Sequence, residues 1–256
     1  MNPFQPPANT PPEMPPPGSV RVAMPTSIPY ATYTLIGVTV LAFLLQTLTK
    51  NFLGVDYLAA FGVKYGQYIR AGEIWRLITP LFLHGSLLHI GFNMYALFIF
   101  GRGMESRFGR VRFLALYFLS GFSGNVLSFV LTPEASLGAS TAVFGLLAAE
   151  GVFLYQNQEI LHGQARRAIM NLVYMAGINL LIGFTTQGVD NWGHIGGMLG
   201  GLLFAWFGAP YWKVEGFFPN LHVVDERKGS GLLAGSLAVL LFFIPIAAMG
   251  FIWPVK

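Results

Sequence analysis

Apolar residues run along this chain in long stretches broken by short clusters of glycine, proline or charge. Helices surrounded by lipid show this pattern, whereas helices with one wet face do not. A helix that crosses a bilayer needs roughly 17 to 25 largely apolar residues. Seven segments approach that length, at about 31–48, 84–101, 112–131, 140–156, 168–186, 190–208 and 231–253. Residues 49–78 form the one long connection. Its apolar side chains, including Phe52, Tyr57, Phe61, Tyr65, Tyr68 and Trp75, are too often interrupted by polar ones to span, and they suit a structure lying at the headgroups. The pattern predicts an all-α polytopic membrane protein.

Composition agrees: 54% of the 256 residues are hydrophobic and 10% are charged. Cysteine is absent, which excludes a disulfide framework, a thiolate metal site and cysteine-protease chemistry. The net charge of +4 comes from residues scattered at the ends of apolar runs, with no dense basic patch, so no nucleic-acid partner is expected. Those charges serve better as topology signals. With the N-terminus inside, ten of the fifteen Lys and Arg residues fall on the cytoplasmic side and five on the other. Residues 1–25 hold nine of the sixteen prolines and few apolar side chains, so a mobile, proline-rich cytoplasmic tail is expected through residue 30. That tail lacks the pattern of a secretory signal, and insertion is expected to rely on the first spanning helix.

Ionisable side chains within apolar helices are costly and point to function. The second segment carries His84, His89 and Asn93, the fourth opens at Ser140, and the sixth has His194 shortly after Asp190. In the N-inside topology all three clusters fall in the first turns of even-numbered helices, on one leaflet. His89 and Asn93 are four apart and share a helix face. Ser140 and His194 can meet if the fourth and sixth helices are neighbours, which makes a serine nucleophile with a histidine base possible. Gly193, Gly197 and Gly201, with Gly196 and Gly200 alongside, supply the small residues that allow close helix approach. Taken alone, Ser140 suits a helix N-cap, and the polar trio could merely hold helices together. Asp190 is best explained as the cap of the sixth helix. His162 and His222 have no metal-ligand spacing, and no metal is expected.

These residues resemble the rhomboid family of intramembrane serine proteases. Gly138-Ala139-Ser140 with Phe144 is similar to its serine motif, and Gly193-His194-Ile195-Gly196-Gly197 to its histidine motif. The stretch from Leu83-His84 to His89-Ile90-Gly91-Phe92-Asn93 resembles its helix-two motif, Trp75-Arg76 its first-loop motif, and 101–109, with Glu105 and Arg107, its second-loop motif. The resemblance covers about residues 33–208. It implies a six-helix catalytic core over 31–208, and a linker with one additional C-terminal spanning helix over 209–256. It further implies Ser140 as nucleophile, His194 as base and then acid, and His89, Asn93 and the Ser140 amide as oxyanion donors. His84, Gly138, Phe144 and Gly197 would support the site, with Phe144 stacked on His194. Independently of the resemblance, Glu105 and Arg107 are expected in a short cytoplasmic loop away from this chemistry, tying the second helix to the third. The family works without cofactor or metal. One position departs from its G-x-S-G pattern: Thr141 brings β-branched bulk and a second hydroxyl beside the nucleophile.

The implied activity is hydrolysis of peptide bonds in or beside transmembrane segments of other membrane proteins, with the lipid bilayer as the other partner. The active site is expected near the outer leaflet, in the plasma membrane of a prokaryote. The alternatives are a pseudoprotease that binds transmembrane segments without cutting them, and a small transporter.

Overall fold

The structure, a computed structural model, describes residues 27–161, 163–217 and 220–253. The proline-rich tail over 1–25 and His162 lie outside the described residues.

Each apolar segment becomes a long helix: α1 (Tyr30–Leu53), α4 (Leu87–Phe108), α5 (Arg110–Leu131), α6 (Ser140–Gln156), α8 (Gln164–Thr185), α9 (Asn191–Gly208) and α10 (Gly231–Ile252). Short helices α2 (Tyr57–Gly62) and α3 (Gly66–Arg70), followed by two 3-10 turns, fill the long first connection, and α7 (Gln158–Leu161) follows α6. Among the described residues four helices, α1, α5, α8 and α10, are long and apolar enough to cross a membrane. The outward faces of α1, α8 and α10 are apolar and exposed, for example at Leu44, Leu181 and Leu241, as lipid contact requires.

At the centre α9 is wedged between α5 and α6, and glycine makes this possible. A Cβ at Gly197 would fall on the Thr141 carbonyl of α6, and one at Gly201 on the Gly145 carbonyl. On the other side a Cβ at Gly196 would lie 2.9 Å from the Gly124 Cα of α5. With no side chain between them the backbones close up, as small residues spaced by four allow. Further along, Gly208 and Gly235 let α10 pack against α9 in the same way.

Several boundaries and ties differ from the expectations. α1 continues past position 48 through Thr49, Lys50 and Asn51 to Leu53, and it stops where Gly54 takes a φ of +74°. The second long helix begins at Leu87 under a cap from Ser86, so His84 lies in the turn ahead of it. Glu105 and Arg107 belong to the last turn of α4 and not to a loop. Glu105 accepts from Ala31 N (2.9 Å), Thr32 N (2.8 Å) and Thr32 Oγ1 (2.9 Å), so its main tie is to the start of α1. Only its looser pairing with Arg110, at 3.6 Å, reaches α5. Arg107 pairs with Glu150 of α6 and so does not join α4 to α5 at all. Both differences have one cause: helical rotation decides which neighbour a terminal side chain faces.

The chain between α9 and α10 forms an unanticipated hairpin, with β1 (Trp212–Glu215) antiparallel to β2 (His222–Asp225). Arg112 of α5 binds Asp225 at 2.6 Å and fastens the hairpin to the bundle.

Candidate active site

Three helix starts and the first connection meet at one end of the bundle. The approach to α6 is clamped from both sides: Lys64 and Ser136 pair through both backbone groups, at 2.9 and 3.0 Å, and Gly138 N–H donates to the Pro80 carbonyl at 2.9 Å. Gly138 has a φ of +133°, a conformation L side chains rarely adopt, and a Cβ there would lie 2.7 Å from His89 Nε2. Glycine is therefore required twice over.

Ser140 is the first residue of α6, while Ala139 holds the cap position and makes no side-chain bond there. The Ser140 hydroxyl is thus not spent on capping. Its Oγ lies 2.9 Å from His194 Nε2, within hydrogen-bond reach. His194 sits in the first turn of α9, below a cap in which Asp190 accepts from Gly193 N at 2.8 Å. The Phe144 ring, one turn below Ser140, stacks on the imidazole with centroids 4.3 Å apart and planes within 16°. His194 Nδ1 has no hydrogen-bond partner among the described residues, so stacking rather than a carboxylate holds the ring. For Nε2 to take the serine proton, the ring hydrogen must be on Nδ1.

Thr141 follows Ser140 and is buried. Its Cβ faces Gly124 of α5, where an added Cβ would come within 2.6 Å, and its Cγ2 faces Gly193. The bulk that the sequence placed beside Ser140 is absorbed by glycines on both neighbouring helices.

His89 and Asn93 flank the pair from α4. Asn93 Nδ2 donates to the His89 carbonyl at 3.0 Å, and both residues line a cavity of about 620 Å³ together with Ser140 and His194. His84 packs its ring edge-on against His89 with centroids 5.0 Å apart, and its Nε2 accepts from Ala139 N–H at 3.4 Å. Its own backbone N–H donates to Gln46 of α1 at 3.0 Å. His84 thus braces His89 and the approach to Ser140, without lining the cavity. The opposite cavity wall comes from α8, through Met175, Asn179 and Ile182.

A serine hydroxyl, an imidazole nitrogen in reach of it and polar side chains around one concave space are groups that acyl-transfer chemistry can use. Comparison with known proteins points the same way, because residues 71–211, more than half of the chain, match the rhomboid domain. The chain belongs to the rhomboid family. It is 38% identical over 177 residues to Rhomboid protease GluP of Bacillus subtilis, covering 69% of this chain and 34% of that protein. It is 37% identical over 166 residues to the mitochondrial RHOMBOID-like protein 6 of Arabidopsis thaliana, covering 62% and 53%. It is 36% identical over 152 residues to Rhomboid-like protease 1 of Toxoplasma gondii, covering 57% and 51%. The chain therefore spans about a third to a half of the length of these relatives. Family and apolar helices together make it an integral membrane protein.

The other rhomboid motif residues build the surroundings of the site. Arg76, 3% exposed, donates to Val63 O (2.9 Å) and Ala60 O (2.8 Å), pairs with Glu73 at 2.7 Å, and lies over the Tyr68 ring. Trp75 donates to Phe61 O at 3.2 Å and stacks on the Phe61 ring. Together they fold the first connection into a compact unit whose 3-10 turns pack against α1, α5 and α6.

Sequence reasoning overlooked Lys64, Ser128 and Thr132, which stand behind the site, and Gln46, which bridges His84 and Asp56. Gln46 and Thr39 did carry a signal, as polar residues inside the first apolar run.

Proposed function

We propose that this rhomboid is an intramembrane serine protease that hydrolyses peptide bonds in or next to transmembrane segments of other membrane proteins. The observation that carries the proposal is the 2.9 Å approach of Ser140 Oγ and His194 Nε2, borne by separate helices, at the wall of a cavity.

In the proposed reaction Ser140 Oγ attacks the scissile carbonyl carbon while His194 Nε2 takes the hydroxyl proton. The carbonyl oxygen becomes an oxyanion, met by the Ser140 amide, His89 and Asn93. Because Ser140 opens a helix, the amide hydrogens there have no carbonyl one turn back, and the positive dipole end favours the developing charge. As the C–N bond breaks, His194 gives its proton to the leaving amine, and water then hydrolyses the acyl-enzyme by the same path in reverse. No metal or cofactor enters this scheme.

A helical substrate has to leave lipid sideways and unwind before a carbonyl can reach Ser140. The exposed face of α8, which also walls the cavity, is the proposed gate, together with the outer loops. Small or helix-breaking residues near the cut are expected to favour unwinding.

For topology, we propose six spans, α1, α4, α5, α6, α8 and α9, as the catalytic core, with α10 as a seventh. The N-terminus would be cytoplasmic and the site near the outer leaflet, in a prokaryotic plasma membrane. Because the chain lacks cysteine, single cysteines introduced into the loops report sidedness without background.

The deciding experiment is cleavage of a transmembrane reporter by purified protein in detergent, alongside fluorophosphonate labelling. Cutting that persists in Ser140→Ala refutes the assigned nucleophile. A pseudoprotease would neither cut nor label at Ser140.

A further inference from the structure

A buried row of donors and acceptors runs behind the Ser140 and His194 pair, and the chemistry above makes no use of it. Lys64, between α2 and α3, has no exposed surface. Its Nζ donates to the Glu134 carbonyl at 2.6 Å, to Thr132 Oγ1 at 3.1 Å and more weakly to the Thr132 carbonyl at 3.4 Å. Thr132 Oγ1 lies 2.9 Å from Ser128 Oγ, which donates to Asp190 Oδ2. The other oxygen of Asp190 accepts from Gly193 N–H at 2.8 Å, one residue before His194. Every hydrogen in the row can point one way, from ammonium to carboxylate, although the Thr132 hydroxyl also lies 2.8 Å from the Ser128 carbonyl.

The same lysine grips the nucleophile's side through its backbone, which pairs with Ser136 four residues before Ser140. One residue is therefore linked to both halves of the catalytic pair: directly to the segment that leads into the serine helix, and through Thr132 and Ser128 to the cap of the helix that carries the histidine. Burial pulls the Lys64 ammonium below the usual lysine range, an effect opposed by the carboxylates of Asp190 and Glu134 and reinforced by Arg70. Burying such a group costs free energy that an apolar residue would not, and where such groups are retained a role in setting one arrangement is a reason.

We propose that Lys64 and Asp190 are positioning residues which, through Thr132 and Ser128, hold the Ser140 approach and the His194 helix in one register. The proposal rests on the protease function above. Neither residue touches the reacting atoms: the lysine reaches the site through the 132–139 segment, and the aspartate through the α9 cap.

The test uses the full chain purified in detergent, with Lys64→Met, Asp190→Asn, the double variant, and Thr132→Val and Ser128→Ala. The last two each remove one hydroxyl of the row and leave both charged side chains in place. Three quantities are measured: kcat and KM on a transmembrane reporter, the rate of fluorophosphonate labelling at Ser140, and thermal unfolding. Each charge variant is expected to lower kcat and labelling roughly tenfold with KM unchanged, and the double variant to fall no further than the worse single one. Effects that multiply in the double variant overturn the proposal. So do Thr132→Val and Ser128→Ala proteins that both react at the wild-type rate, and these decide the matter if Lys64→Met does not fold. A wild-type protein that neither cuts nor labels refutes the protease function instead. The row is then judged by unfolding, where additive losses between Thr132→Val and Asp190→Asn overturn it and non-additive losses support it.

Discussion

Thr141 of α6 seats its branched side chain against Gly124 of α5, where a Cβ would approach Thr141 Cβ to 2.6 Å. The two residues are complementary: bulk stands on one helix and is absent on the other. Restoring the family's usual glycine by Thr141→Gly therefore opens a void and frees the backbone at the start of α6. A loss of about 1 to 3 kcal/mol in stability is expected, with no gain in kcat. Thermal unfolding and reporter cleavage measure both, and a faster enzyme would show that Thr141 restrains the nucleophile.

Phe144 holds His194 by stacking alone, since Nδ1 lacks a partner among the described residues. Phe144→Ala should slow Ser140 labelling by up to about tenfold, the value of one aromatic contact, and Phe144→Tyr should keep most of the rate. Equal rates in Phe144→Ala and wild type would mean that the ring is oriented by something else.

Asn93 and His89 are assigned to the oxyanion, a charge that exists only after attack. Asn93→Ala should cost about 2.7 to 4 kcal/mol in transition-state stabilisation, read as a fall in kcat with KM little changed. A rise in KM at constant kcat would instead make Asn93 a substrate-binding residue.

Arg107 pairs with Glu150, whose side chain is 12% exposed in the α4 to α6 contact. Arg107→Met alone should destabilise the fold by about 3 kcal/mol, because it strands a buried charge. Adding Glu150→Gln should recover most of that loss, measured by unfolding in detergent. Both residues are remote from Ser140, so the labelling rate of the folded fraction should not change.

The long helices and the polar residues that meet at the cavity could be picked out in advance because both are local properties of the chain. Apolar run length alone marked each long helix, and His84, His89, Asn93, Ser140 and His194 stood out because polar groups are rare in such runs. Glycine at 193, 197 and 201 signalled close approach but not to which helix. The row from Lys64 to Asp190 left no comparable mark, since its members lie up to 126 positions apart and Lys64 could be counted only as one more loop charge. The partners of Glu105 and Arg107 were likewise beyond reach, because a helix end faces several neighbours and only its final rotation chooses among them.

Hydropathy, which is one-dimensional and additive, thus specified what is helical and which residues are chemically unusual. Distance, angle and partner came from helices closing on one another. A 2.9 Å contact between residues 54 positions apart depends on how Gly124, Gly193 and Gly197 let three backbones meet, and no single segment contains that information.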